Sequence, residues 1–306
     1  MKAIPVCMVV DDGYLPFAAT TLVSICENTQ EKIACYILAH NIPSERKQKF
    51  EEGVQTLKGL CGVRWIDVRD EWLEGLVVGK HISVVTYARI FIPEVVKAEE
   101  KVLFTDVDVL FKGDVGELYR EKFDDCVICA VPEDDVADGH REDKKRLEIP
   151  EDAVYFSAGL LLIDCEKWRA GNWTKRLLDD VKQDVSKFTC YDQDLLNRNM
   201  YSSYKSLSKK WCWIRQRAKF ERANVEYLKD PGIRHFNGRV KPWLCLPSFG
   251  RLGEKGVRLG TNSFWLVAQK TVFFDEICSI RAKEGWVVRL LGKSLVQKLI
   301  VFLLKF

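Results

Sequence analysis

Short apolar runs rich in β-branched residues alternate with helical segments through the first half of the chain. The runs lie at residues 4–10, 33–39, 63–68, 101–110, 126–131 and 156–164. Segments typical of helices separate them, for example at residues 16–27 and 44–58. This alternation predicts an α/β, Rossmann-like fold in which a mainly parallel central sheet carries helices on both faces. A chain of 306 residues is long enough for one large domain of this kind.

Acidic residues stand near the ends of three predicted strands, and ligands of such sheets bind beyond the carboxyl ends of the strands. These residues are Asp11, the pair Asp106 and Asp108, and Glu133. On a strand, the carboxylates of Asp106 and Asp108 would point to the same side. Two buried carboxylates repel each other, and a bound Mg²⁺ or Mn²⁺ would offset that repulsion. The alternative is that Asp108 ends the strand in solvent and Asp106 caps a helix.

A candidate nitrogen ligand lies far along the chain, in the segment HFNGRVKPW at residues 235–243. His235 is followed by Gly238, which allows close approach to the backbone, and by Lys241, whose ammonium group suits a phosphate. Imidazole nitrogen suits Mn²⁺ better than Mg²⁺. A lone histidine is otherwise commonly a satisfied core or surface residue, so the residues alone leave this ligand open.

Charge and cysteine content exclude several classes of protein. The formal net charge is +3, so no global field recruits nucleic acid and no nucleic-acid partner is expected. The 11 cysteines are spread singly, and the first residues do not resemble a secretory signal. We therefore expect free thiols in a reducing cytoplasm. Cys126 and Cys129 have a C-x-x-C spacing without a second pair, which favours buried thiols over a metal site.

The end of the chain differs from the rest in pattern. A globular catalytic domain is expected at residues 1–275, followed by a basic, amphipathic helical unit at residues 276–306. Within this unit, residues 286–306 are predicted to form one helix. Its polar half carries Arg289, Lys293, Ser294, Gln297 and Lys298, and its apolar half carries Leu291, Leu295, Leu299, Phe302 and Phe306. This pattern is typical of a helix that lies in a membrane surface, and the alternative is packing on the domain or on a second subunit.

Six sequence blocks in a fixed order resemble the retaining glycosyltransferases of family 8, which include glycogenin and bacterial lipopolysaccharide galactosyl- and glucosyltransferases. The blocks are VVDDGY at 9–14, TYAR at 86–89, LFTDVDVL at 103–110, YFSAGLLLID at 155–164 with Trp168, YDQDLLN at 191–197, and HFNGRVKPW at 235–243. The resemblance covers about the first 245 residues. It implies a GT-A fold, a UDP-galactose or UDP-glucose donor, and Mn²⁺ or Mg²⁺ as cofactor.

The resemblance also implies roles for individual residues on the nucleotide side. Asp106, Asp108 and His235 would hold the metal ion, which would bridge the two donor phosphates. The nucleotide would be bound by Val9, Val10, Asp11, Gly13, Arg89, Val107, Gly238 and Lys241. In this set Asp11 would accept a hydrogen bond from the uracil N3–H, and Gly238 and Lys241 would contact the diphosphate. Without the resemblance, Asp11 could equally be a turn residue at the end of a strand.

On the sugar side, the resemblance implies a site made of Arg89, Glu133, Ser157, Ala158, Gly159, Asp192 and Gln193. The catalytic residues would be Asp192, which would grip the sugar hydroxyls, and Gln193, whose amide would lie beneath the anomeric carbon and stabilise positive charge there. The alternatives are a surface ion pair for Arg89 and a helix N-cap at residues 192–194. Asp134 and Asp135, which follow Glu133, could be solvated loop charges.

Three positions depart from the pattern of the family. Ser157 stands where many relatives have asparagine, Gly13 where some have asparagine, and Cys212 where asparagine is frequent after tryptophan. Ser157 is shorter than asparagine, which leaves the identity of the donor sugar open. The other two departures leave details of the uridine and acceptor sides open. None of the three removes a predicted metal ligand.

These features together predict a Mn²⁺-dependent retaining hexosyltransferase. It would move galactose or glucose to a glycan or glycolipid acceptor, in lipopolysaccharide or cell-surface polysaccharide synthesis. The expected location is the cytoplasm, or the cytoplasmic face of the inner membrane if the C-terminal helix binds that surface. The alternative is a non-catalytic UDP-sugar or glycan-binding protein on the same fold.

Overall fold

The structure, a computed structural model, describes residues 2–76, 78, 83–134, 140–214, 231–238, 241–246, 258–283 and 286–304. Its strands are β1 (Ile4–Asp11), β2 (Ile33–His40), β3 (Leu60–Asp67), β4 (Lys101–Thr105), β5 (Val109–Phe111), β6 (Ile128–Pro132), β7 (Phe156–Asp164), β8 (Tyr204–Ser206), β9 (Trp213–Ile214) and β10 (Ile233–His235). Its α-helices are α1 (Leu15–Glu27), α2 (Ser44–Val54), α3 (Ile92–Val95), α4 (Val115–Tyr119), α5 (Arg141–Leu147), α6 (Cys165–Ala170), α7 (Trp173–Gln183), α8 (Asp192–Met200), α9 (Arg258–Ala268), α10 (Phe274–Lys283) and α11 (Trp286–Leu303). Asp135 and Phe306, named in the sequence analysis, lie outside the described residues.

The central sheet has seven strands in the order β3-β2-β1-β4-β7-β6-β8. Neighbouring strands are parallel except where β7 pairs with β4 and β6. Alternate residues of β1 enter two different cores: Val6 and Met8 lie in the core that contains α1, whereas Cys7 lies in the core that contains α6 and α7. The mainly parallel sheet with helices on both faces is therefore confirmed.

The prediction of one strand at residues 101–110 is wrong, because these residues contribute to two strands that belong to different sheets. β4 ends at Thr105, and β5 belongs to a separate three-stranded sheet of order β5-β10-β9. Asp106 and Asp108 lie in the break, outside both strands. Their carboxylates nevertheless lie within 4.8 Å of each other. The hydroxyl of Thr21 in α1 holds this break, since it lies 2.9 Å from the carbonyl oxygen of Val107 and 2.8 Å from that of Val109.

The small sheet brings His235 to the two aspartates. β10 runs antiparallel to β5 and places His235 opposite Val109. Next to this pair, the backbone N–H of Phe236 donates a 2.8 Å hydrogen bond to the carbonyl oxygen of Asp108. The strand pairing thus sets the position of a histidine that is remote from the aspartates in sequence.

The C-terminal helices pack on the same core as the first strands. Val296 and Ile300 of α11 are buried in the core that contains β1 and α1. Leu303 is also buried, whereas Leu295 and Phe302 are about half exposed. The buried side chains of α11 therefore each come one residue after those predicted to form its apolar half. Of the predicted apolar residues, Leu295 and Phe302 form a second apolar stripe that stays at the surface. The side chains of Arg289, Leu291 and Lys293 are outside what the structure describes.

The described helices include none that is long and apolar enough to cross a bilayer. The boundary between residues 275 and 276 stays a prediction, and α10 (Phe274–Lys283) runs across it.

Candidate active site

Asp106, Asp108 and His235 converge at the end of β4 and form the only three-residue set in the described part of the chain that is suited to a metal ion. Their ligand atoms all lie within 4.8 Å of one another. The Nε2 atom of His235 is 3.3 Å from Asp108 Oδ1 and 3.6 Å from Asp106 Oδ2. Two carboxylates and one imidazole form a donor set that suits a divalent cation such as Mn²⁺.

The two aspartates are surrounded by cationic groups. Lys241 Nζ lies 2.5 Å from Asp108 Oδ2 and donates to the carbonyl oxygen of Phe236 at 2.9 Å. Burial opposes ionisation of Asp108, but His235 and Lys241 outweigh it and hold the pKa of that carboxyl well below its usual range. Burial likewise opposes the imidazolium, while Asp108 raises the pKa of His235 well above its ordinary value. Asp108 is therefore a carboxylate at neutral pH.

Gly159 in β7 forms the floor beneath the metal-ligand set. A Cβ atom at this position would lie 2.4 Å from His235 Cε1 and 2.9 Å from Asp106 Oδ2, both too close for any side chain. The carbonyl oxygen of Gly159 accepts a 2.8 Å hydrogen bond from the backbone N–H of Asp106. Only glycine at this position leaves room for the side chains of His235 and Asp106 to lie against β7. Gly238 has a φ of +87°, the left-handed region that favours glycine.

Arg89 is buried, so it does not form the surface ion pair that was the alternative. Its Nη2 lies 2.8 Å from Asp106 Oδ1 and its Nε lies 3.0 Å from Asp192 Oδ2. Its Nη1 donates to the carbonyl oxygen of Ala158 at 2.7 Å. One guanidinium therefore connects a predicted metal ligand, a predicted sugar ligand and the floor of the site.

Asp192 and Gln193 open α8, which is fixed to β7 by a buried side chain. Asn197 accepts a hydrogen bond from Phe156 N–H and donates one to Phe156 O, both at 2.8 Å. One turn earlier, the Oε1 atom of Gln193 accepts from the backbone N–H of Ala158 at 3.0 Å. Asp192 is buried, and burial raises its pKa more than the neighbouring Arg89 lowers it.

Two further predicted sugar residues lie close to Gln193. Glu133 is buried at the end of β6, and its Oε2 lies 3.5 Å from Nε2 of Gln193. Ser157 is buried beside Ala158, and the thiol of Cys212 lies 3.7 Å from its hydroxyl oxygen. The shorter serine thus has a neighbouring thiol, and both are positions at which this chain departs from the family pattern.

The predicted uridine residues lie around the end of β1. Asp11 Oδ1 accepts a 3.2 Å hydrogen bond from the backbone N–H of Tyr14, so this carboxylate also caps a short turn. Val9 is half-buried, whereas Val10 belongs to the core. Gly13 has open space, since an added Cβ would meet only Asp11 Oδ1 at 3.6 Å. The structure brings these residues to the same edge of the sheet as the metal-ligand set.

Several residues of the site escaped the sequence analysis. Thr21 fixes the break after Asp106, and Thr86 donates to Asp192 Oδ1 at 2.7 Å. Tyr14 is a partly exposed aromatic ring near Asp11 and Lys241, and the Tyr155 hydroxyl lies 3.4 Å from Gln193 Nε2. The signal for Thr21 was its hydroxyl in the mostly apolar α1, which also contains Thr20 and Ser24, because buried polar groups need partners.

Comparison with known proteins matches this geometry to one family. The family model for Glycosyl transferase family 8 matches residues 5–246. General stress protein A of Bacillus subtilis is 27% identical over 248 residues, which cover 76% of this chain and 85% of that protein. The lipopolysaccharide 1,3-galactosyltransferase of Salmonella typhimurium is 28% identical over 252 residues, which cover 76% of this chain and 71% of that protein.

A solved structure shares the fold. The galactosyltransferase LgtC, crystallised in complex with donor and acceptor sugar analogs, superposes with a TM-score of 0.75. The two chains are 23% identical, and the superposition covers 88% of this chain and 96% of the other. The fold is therefore GT-A, as expected from the sequence.

Proposed function

The chain belongs to glycosyl transferase family 8, and we propose that it moves a hexose, galactose or glucose, from a UDP-sugar to a glycan acceptor with retention at the anomeric carbon. The observation that carries this proposal is the convergence of Asp106, Asp108 and His235 next to the buried Arg89–Asp192 ion pair and Gln193. We interpret this arrangement as a cation site beside a polar site for the donor sugar, at one edge of the sheet. Relatives that are named for galactosyl and glucosyl transfer to lipopolysaccharide support the choice of hexose.

The residues present fit Mn²⁺ or Mg²⁺. The donor set contains two carboxylates and an imidazole, and the floor at Gly159 has no room for a side chain that would fill the site. When bound, the cation would supply Lewis-acid neutralisation of the departing UDP. Asp106, Asp108 and His235 would hold it, and the imidazole favours Mn²⁺ over Mg²⁺.

The other side chains would bind the donor and hold it in position. Lys241 and the backbone at Gly238 would face the diphosphate, and Asp11, Val9, Val10, Gly13 and Val107 would surround the uridine. Tyr14 would add an aromatic surface for the uracil ring. The residues that would lie near the donor sugar are Arg89, Glu133, Ser157, Ala158, Gly159, Asp192 and Gln193.

The transfer would then proceed on one face of the sugar. The acceptor oxygen forms its bond to the anomeric carbon while the bond from that carbon to the phosphate oxygen breaks. The proton of the acceptor hydroxyl passes to the departing phosphate oxygen, so no separate base is required. Gln193 would stabilise positive charge at the anomeric carbon through its amide dipole, because an amide is a weak nucleophile.

Slow hydrolysis of a donor tests the function without knowledge of the acceptor. We expect UDP release from UDP-galactose or UDP-glucose in the presence of Mn²⁺, and little after treatment with EDTA. The same assay with UDP-N-acetylglucosamine controls for selectivity. Tight binding of UDP-sugars without hydrolysis, and without transfer to any glycan acceptor, would instead establish a sugar-nucleotide binding protein.

We further propose that the protein works in lipopolysaccharide or cell-surface polysaccharide synthesis, in the cytoplasm and peripherally on the cytoplasmic face of the inner membrane. Its 11 cysteines, all within the described residues, form no disulfide, which suits a reducing compartment. Leu295 and Phe302 leave an apolar stripe of α11 exposed, with Lys298 exposed beside them. Exposed apolar and basic groups on one helix favour an anionic lipid surface.

Replacing Leu295 and Phe302 by serine is expected to lower binding to phosphatidylglycerol vesicles by about 10-fold or more, because both side chains would lose apolar burial in lipid. Removing the whole helix would be less informative, since Val296 and Ile300 belong to the core. Val272→Ser is the matched control, because Val272 is 44% exposed but packs beside Gly53 of α2. Co-sedimentation with vesicles measures the effect, and unchanged binding of the double variant would exclude α11 as the membrane contact.

A further inference from the structure

His140 stands at the start of α5 and contacts two carboxylates through its two ring nitrogens. Its Nε2 lies 3.2 Å from Glu133 Oε2, and its Nδ1 lies 2.9 Å from Asp143 Oδ2. The ring is stacked on Tyr155, with centroids 4.2 Å apart and an interplanar angle of 21°. The side chain is only 15% exposed. A histidine held from three sides in this way has a fixed position.

Two of the groups that His140 contacts, Glu133 and Tyr155, are also the two groups that accept hydrogen bonds from the side-chain amide of Gln193. Gln193 Nε2 lies 3.5 Å from Glu133 Oε2 and 3.4 Å from the Tyr155 hydroxyl. That hydroxyl donates its own proton to Asp194 Oδ1 at 2.6 Å, so it can only accept from Gln193. With Oε1 bound to the Ala158 N–H, the orientation of the carboxamide is fully determined.

We propose that His140 is a positioning residue for the sugar transfer, which holds Glu133 and Tyr155 so that the Gln193 carboxamide keeps one orientation beneath the donor sugar. This inference rests on the proposed function, since Gln193 matters only if a sugar is transferred there. Glu133 is buried, and its contact with Gln193 is long, at 3.5 Å. Its nearest cationic group among the described residues is the imidazole of His140, at 3.2 Å. The role differs from that of His235, which lies in the metal-ligand set.

The charge on the ring decides how well it can hold both carboxylates. The imidazolium hydrogen-bonds Asp143 through Nδ1 and pairs with Glu133 through its charge, since Nε2 lies 3.2 Å from Glu133 Oε2 but makes no hydrogen bond there. A neutral ring has only one N–H donor and no charge with which to pair Glu133. Asp143 also pairs with Arg146 on the same helix, and Arg146 contacts Asp194 Oδ2 at 3.0 Å. The titratable groups around the ring in the described residues include Glu133 just after β6, Asp143 and Arg146 from α5, and Tyr155 before β7. The thiol of Cys190 also lies within electrostatic range of Glu133 and Asp143.

The pH dependence follows from this arrangement. Burial lowers the pKa of His140, but Glu133 and Asp143 outweigh it and raise the pKa above the ordinary 6.5. The imidazolium is therefore present below this raised pKa and is lost as the pH rises through it. We expect kcat to decline over that interval above 6.5, because Glu133 loses its ion pair. A rise in kcat over the same interval would contradict the role.

Kinetics of variants test the proposal. His140→Gln is expected to lower kcat about 10- to 100-fold below the pKa of His140, because a misplaced group costs that much, and to remove the decline at higher pH. The Mn²⁺-dependent Kd for UDP should not change. His40→Gln is the matched control, because His40 also pairs with an aspartate, at 3.0 Å from Asp70, and its side chain is 17% exposed. A double variant with Glu133→Gln should show less than the sum of the two single effects.

Nuclear magnetic resonance gives a readout that does not need turnover. In protein carrying ¹³C-histidine and ¹⁵N-glutamine, the side-chain amide signal of Gln193 should shift with the same pKa as the His140 ring, and Glu133→Gln should lower that pKa. If the wild-type protein hydrolyses no UDP-sugar, the proposed function fails while this coupling can still be observed. If His140 titrates without any response of the Gln193 amide, or His140→Gln lowers kcat equally at every pH, the positioning role is wrong.

Discussion

Asp108→Asn is expected to lower kcat/KM for the UDP-sugar by about 10²- to 10³-fold, because it removes a charged group from a preorganised electrostatic site. The change keeps the shape of the side chain and deletes one charge. Asp108 faces both His235 and Lys241, so the loss leaves Lys241 without its carboxylate and leaves His235 with Asp106 alone. The Mn²⁺-dependent part of UDP binding should disappear, as measured by calorimetry with and without the metal ion.

Asp70→Asn provides the control for this experiment. Asp70 also pairs with a histidine at the end of a strand, at 3.0 Å from His40 Nε2, but its side chain is 87% exposed. It should keep wild-type turnover and UDP affinity. Retention of metal-dependent UDP binding by Asp108→Asn would show that the cation is held elsewhere.

Gly159→Ala is expected to have a similarly large effect on activity without removing any ligand. The new methyl group would lie 2.4 Å from His235 Cε1 and 2.9 Å from Asp106 Oδ2, so the histidine has to move. A displacement of this kind costs about 10²-fold in rate, and overpacking of a buried site costs about 1–3 kcal/mol of stability. Mn²⁺ affinity, measured by electron paramagnetic resonance, should fall together with kcat.

Gly171→Ala is the control that distinguishes damage to the metal-ligand set from a general loss of stability. A Cβ at Gly171 would lie 2.5 Å from Trp173 Nε1, so this position is equally crowded but belongs to the turn between α6 and α7. We expect a lower melting temperature with unchanged Mn²⁺ affinity. Equal Mn²⁺ affinities of Gly159→Ala and wild type would mean that Gly159 does not set the position of His235.

Six of the seven strands of the central sheet could be predicted from the sequence because they are apolar runs bounded by polar residues, whereas the short β8 was not predicted. β7 coincides with the predicted run at 156–164, and β1 differs by one residue at its end. The break after Thr105 could not be predicted, because apolar and β-branched residues continue on both sides of it. The chain between β4 and β5 is held by a tertiary contact, namely the hydroxyl of Thr21 at the carbonyl oxygens of Val107 and Val109.

Some residues of the candidate site could likewise be predicted from the sequence, and others could not. Asp106, Asp108 and His235 carry a readable pattern, and the structure brings them together, although through a strand pairing that the sequence does not reveal. His140 carries no pattern, because its partners come from the end of β6, the start of β7 and its own helix. In α11 the sequence has apolar residues on two adjacent stripes, so only the packing identifies which one is buried.

Diffraction from a crystal grown with Mn²⁺ and UDP would test whether Asp106, Asp108 and His235 hold the cation. We expect one anomalous peak between the two carboxylates and the imidazole, with the diphosphate of UDP on the side towards Lys241. UDP bound at another place, or a manganese peak away from these three side chains, would contradict this expectation.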